Sequence, residues 1–340
     1  MADRVLVTGV SGFVGGHVAL ALLKAGFEVR GSVRSLAKFQ KVKETLEWAG
    51  ADVSRLSFVE LDLLSDDGWD DAMAGARYLQ HTASPFVISQ PKDKMELIRP
   101  AVEGTRRALE AALRTKVERV VLTSSMAAVM YGHPKSRTAP FGPADWTDPT
   151  ARDVMAYTES KTLAERKAWE IMEAAGRRSD LVTINPGTIF GPLLDDDPGT
   201  SVALLARMFD GSLPAAARFY STIVDVRDVA EAHLKAMIVP DAGGKRLTMG
   251  AGSLSLMEIA QAVRPAVPGH TAKLPRWEAP DWFVRLFAFV DADARDNIGE
   301  LGVRKTADSS AVTALLGHKL ISAEEASAAS ARSLVERGLA

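Results

Sequence analysis

A short β-branched run, Arg4-Val-Leu-Val-Thr8, ends on Gly9-Val-Ser-Gly12-Phe-Val-Gly15, and apolar residues then recur at helical spacing through Phe13, Val14, Val18, Leu22 and Leu23. Strand, glycine-rich turn and helix in direct succession constrain the fold more than any other stretch. The glycines allow a tight reversal in which a pyrophosphate can approach the helix N-terminus. The spacing is G-x-x-G-x-x-G, one residue longer at the first interval than the usual G-x-G-x-x-G. An ordinary βα turn is the plainer reading. Its place at the head of an alternating chain favours dinucleotide binding by Gly9, Gly12, Phe13, Val14 and Gly15.

The alternation continues downstream. Strand-like runs at 28–33, 56–61, 78–83, 119–124 and 181–185 are separated by helix-length sequence, with helices expected to about Trp48, near 66–73 and around 95–114. Strands alternating with helices make βαβ units and a parallel sheet. After Pro186 the rhythm breaks at Pro192 and at Asp195 to Gly199, a turn-rich segment. One more strand and helix are expected at 221–226 and 227–237, and the remainder reads mostly helical near 255–263, 281–289, 309–316 and 323–336. The expected class is α/β: a Rossmann doubly wound parallel sheet over 1–190 and 221–250, with a smaller, mainly helical substrate lobe over 191–220 and 251–340.

Composition removes several functions. With 41 Lys plus Arg against 43 Asp plus Glu, a formal charge of -2 offers no broad basic surface, so nucleic acid is not expected as a partner. The chain has no cysteine, which excludes disulfides, thiol nucleophiles and Cys-ligated zinc. The histidines at 17, 81, 133, 233, 270 and 318 are scattered, and Asp195 to Asp197 reads as a solvated turn, so no metal site is expected. No apolar run approaches the ~18 residues of a membrane helix, and the N-terminus has no signal-peptide core. A soluble cytoplasmic chain with no membrane partner is the expectation.

Which dinucleotide binds depends on the tip of the second strand, where an acidic residue would meet a ribose hydroxyl and a basic one a 2′-phosphate. The tip reads Val33-Arg34-Ser35, with Lys38 a turn later. Two cations there favour NADP(H), against the alternative of a solvated basic surface. Asp62 and Leu63, at the end of the third strand, are placed to meet the adenine.

Tyr-x-x-x-Lys occurs twice. In Tyr131-Gly-His-Pro-Lys135 the glycine and proline argue against a continuous helix, whereas Tyr157-Thr-Glu-Ser-Lys161 opens a long helical run in which i and i+4 share a face. That face is expected to continue through Ala164, Ala168, Met172 and Ala175, with Glu159, Glu165, Arg166 and Glu170 elsewhere. A lysine on an apolar stripe calls for a partner or a function, the plainer alternative being a snorkelling side chain. An ammonium beside a phenol favours its anionic form, which would make Tyr157 a general acid and base. A third group is expected where Val120-Val-Leu-Thr-Ser-Ser125 ends, since ligands bind at strand ends of parallel sheets. Ser125 is preferred to Ser124, although either hydroxyl could serve local backbone.

With these residues in hand, the chain resembles the extended short-chain dehydrogenase/reductases. Within them it is similar to the branch holding dihydroflavonol 4-reductase, cinnamoyl-CoA reductase and the yeast methylglyoxal (isovaleraldehyde) reductase. The matching stretches include Val7 to Gly15, Val33-Arg34, Thr82-Ala-Ser-Pro85, Val102-Glu-Gly-Thr105, Val121 to Ser125, Ala156 to Lys161, Asn185-Pro186, Phe190-Gly-Pro192 and Val224 to Asp228. They run over about the first 240 residues.

The resemblance implies an NADPH-dependent reductase of aldehydes or ketones, reversible as an alcohol dehydrogenase. Ser125 would polarise the carbonyl, Tyr157 give the proton, and Lys161 lower the tyrosine pKa and hold the nicotinamide ribose. Pro186, Gly187 and Thr188 would line the nicotinamide, with Thr82, Ala83, Ser84 and Thr123 also on the cofactor side. Phe86, Met126, Tyr131, Ile189 and Phe190 are the expected apolar pocket for a small carbonyl or alcohol. Two departures count against the plant substrates. Cinnamoyl-CoA reductases carry Asn-Trp-Tyr-Cys-Tyr where Met155-Ala-Tyr157 stands, and flavonoid reductases carry an asparagine near Val129 and Met130. A nucleotide-sugar epimerase or dehydratase shares fold and Tyr-Lys pair, and a non-catalytic NADP(H) sensor shares the fold. Monomer or homodimer is left open.

Overall fold

A computed structural model describes residues 2–84, 93–151, 154–213, 215–289, 295 and 297–340. The strands are β1 (Arg4–Thr8), β2 (Glu28–Val33), β3 (Leu56–Glu60), β4 (Tyr78–His81), β5 (Arg119–Thr123), β6 (Leu181–Pro186), β7 (Thr188–Phe190), β8 (Tyr220–Asp225), β9 (Arg246–Met249) and β10 (Gly252–Ser255). The helices are α1 (Phe13–Lys24), α2 (Phe39–Trp48), α3 (Trp69–Met73), α4 (Met95–Arg114), α5 (Ala156–Ala174), α6 (Gly199–Asp210), α7 (Val226–Ile238), α8 (Leu256–Val263), α9 (Asp281–Phe287), α10 (Ser310–Leu316) and α11 (Ala323–Glu336).

A seven-stranded parallel sheet in the order β3-β2-β1-β4-β5-β6-β9 forms the centre. Its strands are apolar on both faces because helices cover both. Val5, Val7, Val121, Val182 and Ile184 pack with α1, α2, α7 and α10, while Leu6, Leu79, Val120, Leu122 and Leu181 pack with α3, α4 and α5. This is the expected doubly wound Rossmann arrangement. The chain leaves β1 for β2 on one side and returns to β4 on the other. That reversal opens a crevice at the strand C-termini, the usual ligand site of such sheets.

The region after Pro186 departs from the sequence expectation. The strand expected at 221–226 is β8, and it joins a separate three-stranded sheet, β10-β8-β7, instead of the Rossmann sheet. The strand that returns to the main sheet is β9, parallel to β6. It escaped notice because it is short and opens on an arginine, Arg246, that is buried in an ion pair. Helix α6 also escaped notice behind the turn signals at Asp195 to Gly199. Its buried residues Val202, Leu205, Met208 and Phe209 nonetheless carry helical spacing and join Phe190, Leu193, Ile259, Ala326 and Leu334 in the core of the smaller lobe.

Candidate active site

The glycine turn sits at the crevice between β1 and β4. Gly9 has φ +69°, and a Cβ there would stand 3.0 Å from Ala83 Cα. A Cβ on Gly15 would stand 2.2 Å from the Gly9 carbonyl oxygen and 2.8 Å from Thr82 Oγ1. The turn therefore closes only with glycine at both positions. Thr82 Oγ1 donates to the Thr8 carbonyl at 2.5 Å and the Ala83 N–H donates to Thr8 Oγ1 at 3.1 Å, clipping the end of β4 to β1. Ser84 follows, half-buried. Gly12, at the N-cap of α1, leaves the helix without a side-chain cap. Phe13 and Val14 are half-buried, Phe13 meeting the His17 ring edge-on at 5.4 Å. A cradle that a Cβ on Gly9 or Gly15 would obstruct, opening on a helix N-terminus with no side-chain cap, fits a pyrophosphate.

Arg34 and Lys38 are both exposed just beyond β2. Asp62 is exposed beyond β3 and its Oδ1 accepts the Leu64 N–H at 2.9 Å, so its carboxylate braces its own turn. Leu63 packs against the cluster on the α4 face.

Next along the sheet, β5 ends in adjacent hydroxyls with different duties. Thr123 Oγ1 lies 3.0 Å from His233 Nε2. Ser124 is buried and its Oγ donates to Glu165 at 2.6 Å. Ser125 caps the short 3-10 turn Met126–Ala128, accepting the Ala127 N–H at 3.0 Å, and is hydrogen-bonded to the Tyr157 hydroxyl. The structure thus brings Ser125, and not Ser124, to the tyrosine. Tyr157 lies in the first turn of α5, and Lys161 Nζ is 5.8 Å from its ring centre.

Burial raises the Tyr157 pKa, opposed by the Ser125 hydrogen bond. The lowering by Lys161 expected from the sequence is not seen: desolvation of the phenol sets the direction, and Ser125 is what opposes it. Burial also lowers Lys161 to about 8, with Glu165 pulling the other way. Nearby, Pro186 ends β6, the Gly187 N–H donates to the Met249 carbonyl at 2.9 Å, and Thr188 begins β7. The chain crosses from one sheet to the other at this point.

The expected pocket residues divide. Phe86 lies outside the described residues. Tyr131 and Ile189 are half-buried. Met126 and Phe190 are fully buried in separate apolar clusters, so they support a wall from behind instead of offering surface. Phe190 turns inward because it belongs to β7, which the sequence did not reveal. The ring of Tyr131 carries Lys305 Nζ at 3.9 Å from its centre, and Lys305 pairs with Glu300 at 2.5 Å. This trio was missed in the sequence, since its long-range register comes from the Phe141 N–H donating to Thr306 at 2.8 Å. The other Tyr-x-x-x-Lys, Tyr131 to Lys135, sits in turns, with Gly132 at φ +73°, and forms no helix.

Glu165 corrects the expectation that it lies away from the packed face of α5: it is 1% exposed and ion-paired to Arg246. Ala175 is exposed beyond α5, whereas Ala164, Ala168 and Met172 are buried as expected. Asp195 and Asp196 pair with Lys41 and Arg337, and Asp197 accepts the Gly199 N–H at 2.9 Å.

The fold and the glycine cradle define a Rossmann protein built for a dinucleotide. Residues 5–250 match the NAD dependent epimerase/dehydratase family, and the chain belongs to that family, which comprises the extended short-chain dehydrogenase/reductases. It is similar to the ketoreductase azaE of Aspergillus niger, 34% identical over 319 residues that cover 88% of this chain and 93% of the relative. The cinnamoyl-CoA reductase CAD2 of Medicago truncatula is 35% identical over 251 residues, covering 72% and 75%. Among solved structures, yeast methylglyoxal/isovaleraldehyde reductase Gre2 complexed with NADPH superposes with a TM-score of 0.80 at 26% identity, covering 99% of this chain and 100% of that one.

Proposed function

We propose that the chain is an NADPH-dependent reductase of aldehydes and ketones, reversible as an alcohol dehydrogenase. The observation that carries the reading is the Ser125–Tyr157 hydrogen bond at the C-terminal end of β5, with Lys161 one helical turn away. The names of its relatives, reductases of ketone, thioester and aldehyde carbonyls, support the same chemistry.

Gly9, Gly12, Gly15 and the first turn of α1 would hold the pyrophosphate, Arg34 and Lys38 the 2′-phosphate, and Pro186 to Thr188 the nicotinamide side. When bound, NADPH supplies the hydride that the carbonyl carbon receives. Ser125 and Tyr157 hydroxyls together orient the carbonyl oxygen and stabilise the charge that develops on it. The Tyr157 O–H then gives its proton to that oxygen, completing the alcohol, and is reprotonated from solvent. Lys161, as an ammonium, stabilises the phenolate left behind. The substrate would sit between the seven-stranded sheet and the smaller lobe of α6, the β10-β8-β7 sheet, α8 and α11, near Tyr131 and Ile189; α10, expected in that lobe, packs on the seven-stranded sheet instead.

The test is loss of NADPH absorbance on mixing with a panel of aryl and alkyl aldehydes and ketones, alongside direct measurement of NADPH binding. Turnover of at least one class is expected. NADPH binding without turnover on any of them overturns the reading. Tightly bound NAD in the purified protein would instead favour an epimerase.

A further inference from the structure

Glu165 stands four residues after Lys161 on α5, and its side chain is 0% exposed. Its carboxylate collects donors from three strands. Arg246 Nε of β9 donates at 2.7 Å, Thr183 Oγ1 and Asn185 Nδ2 of β6 at 3.0 and 2.7 Å, and Ser124 Oγ, just past β5, at 2.6 Å. Trp169 Nε1 from its own helix adds a contact at 3.3 Å. Arg246 is itself fixed, donating to the carbonyls of Pro143 and Asp145 at 2.7 and 2.6 Å and stacking 3.6 Å from the Trp146 ring centre. A buried ion pair of this kind is a poor source of stability, because desolvation offsets its attraction. Its geometry points to another role. Asn185 Nδ2 also donates to the Ser125 carbonyl at 3.2 Å, so two of the carboxylate's partners flank the serine that meets Tyr157.

We propose that Glu165 is a positioning residue of the reduction: it fixes Ser125 through Ser124 and Asn185, and it supplies the negative charge that faces Lys161 from the base of the site. The proposal rests on the reductase reading above. Among the described residues the charged and titratable groups around this point are few. From β4, His81 is held neutral by burial, at about 3. From β9, Arg246 is bound to the same carboxylate, and on α5 Tyr157 is held protonated by burial. Lys94, ahead of α4, is engaged with Glu159 at 3.0 Å. Among the described residues Glu165 is thus the anion whose charge supports the Lys161 ammonium, which burial opposes. As pH rises, loss of the Lys161 proton should end carbonyl reduction, and removing the Glu165 charge should bring that loss to lower pH.

The experiment compares pH profiles of kcat/KM for NADPH-dependent carbonyl reduction in the wild type, Glu165→Gln and Glu165→Asp. For Glu165→Gln, the alkaline limb should move down by about one pH unit. Its kcat should fall about tenfold while the KM for NADPH stays within about twofold. Glu165→Asp should keep the wild-type limb, since it keeps the charge. An unmoved limb in Glu165→Gln overturns the proposal. Should the Gln variant fail to fold around an unpaired Arg246, Ser124→Ala removes one hydroxyl and no charge, and should lower kcat about tenfold at unchanged NADPH affinity. Wild-type kcat in Ser124→Ala overturns the proposal. A wild type that binds NADPH yet reduces no carbonyl fails the reductase reading itself, whereas an active wild type with an unmoved limb fails only the role of Glu165.

Discussion

Tyr157 carries two opposed influences, burial that holds its proton on and a hydrogen bond from Ser125 that eases it off. Replacing it with phenylalanine keeps the ring packing and removes the proton. Tyr157→Phe should lower kcat by about 10²- to 10⁴-fold in stopped-flow reduction, with NADPH affinity by fluorescence unchanged. Arg34 offers the complementary test of cofactor choice. Arg34→Ala should raise the KM for NADPH about tenfold and leave that for NADH nearly unaltered, as measured by steady-state kinetics with either cofactor. Both residues could be singled out in the sequence because each stands at a fixed offset from a recognisable strand or helix. Glu165 was not, although its spacing from Lys161 places it on the same helix face. The sequence reading set it apart from the packed face, and the arginine that pairs with it, Arg246, lies 81 positions further along the chain.

Among elements, those with a clear period were read nearly residue for residue: β1, β2, α4 and α11 have the expected limits. Short elements fixed by long-range pairing were invisible. β7 has 3 residues and β10 has 4, too few to show alternation, and each exists because β8 lies beside it. Where local chemistry defines an end, its contribution can be measured. Ser255 and Glu258 form a reciprocal capping box at the start of α8, with the Ser255 N–H donating to Glu258 at 2.7 Å and the Glu258 N–H donating to Ser255 Oγ at 3.1 Å. Ser255→Ala should lower stability by about 1 kcal/mol in urea denaturation, without changing the proposed catalytic pH limb.

At the scale of the whole molecule, buried imidazoles set the acid limit. Burial lowers His17 to about 4 and both His81 and His233 to about 3. In the unfolded chain each would titrate near ~6.5. Between those limits the unfolded state binds more protons, so stability is flat with respect to these groups above about pH 7 and falls as pH drops below about 6.5. Each histidine should contribute a slope of about 1.4 kcal/mol per pH unit in that window, seen as a falling urea midpoint between pH 6.5 and 4.

The late return of β9 has a consequence for biosynthesis. All six residues of β6 are buried in the finished protein, and β9 covers its outer edge. A chain growing from its N-terminus emits β5 and β6 while the partner at 246–249 has yet to be made. Were β6 to pair with β5 at that stage, then throughout the translation of β7, α6, β8 and α7 it would present unpaired backbone groups, the usual template for unwanted pairing with another chain. That interval is when nascent copies on one polysome are most exposed to one another, and it closes with the synthesis of a four-residue strand.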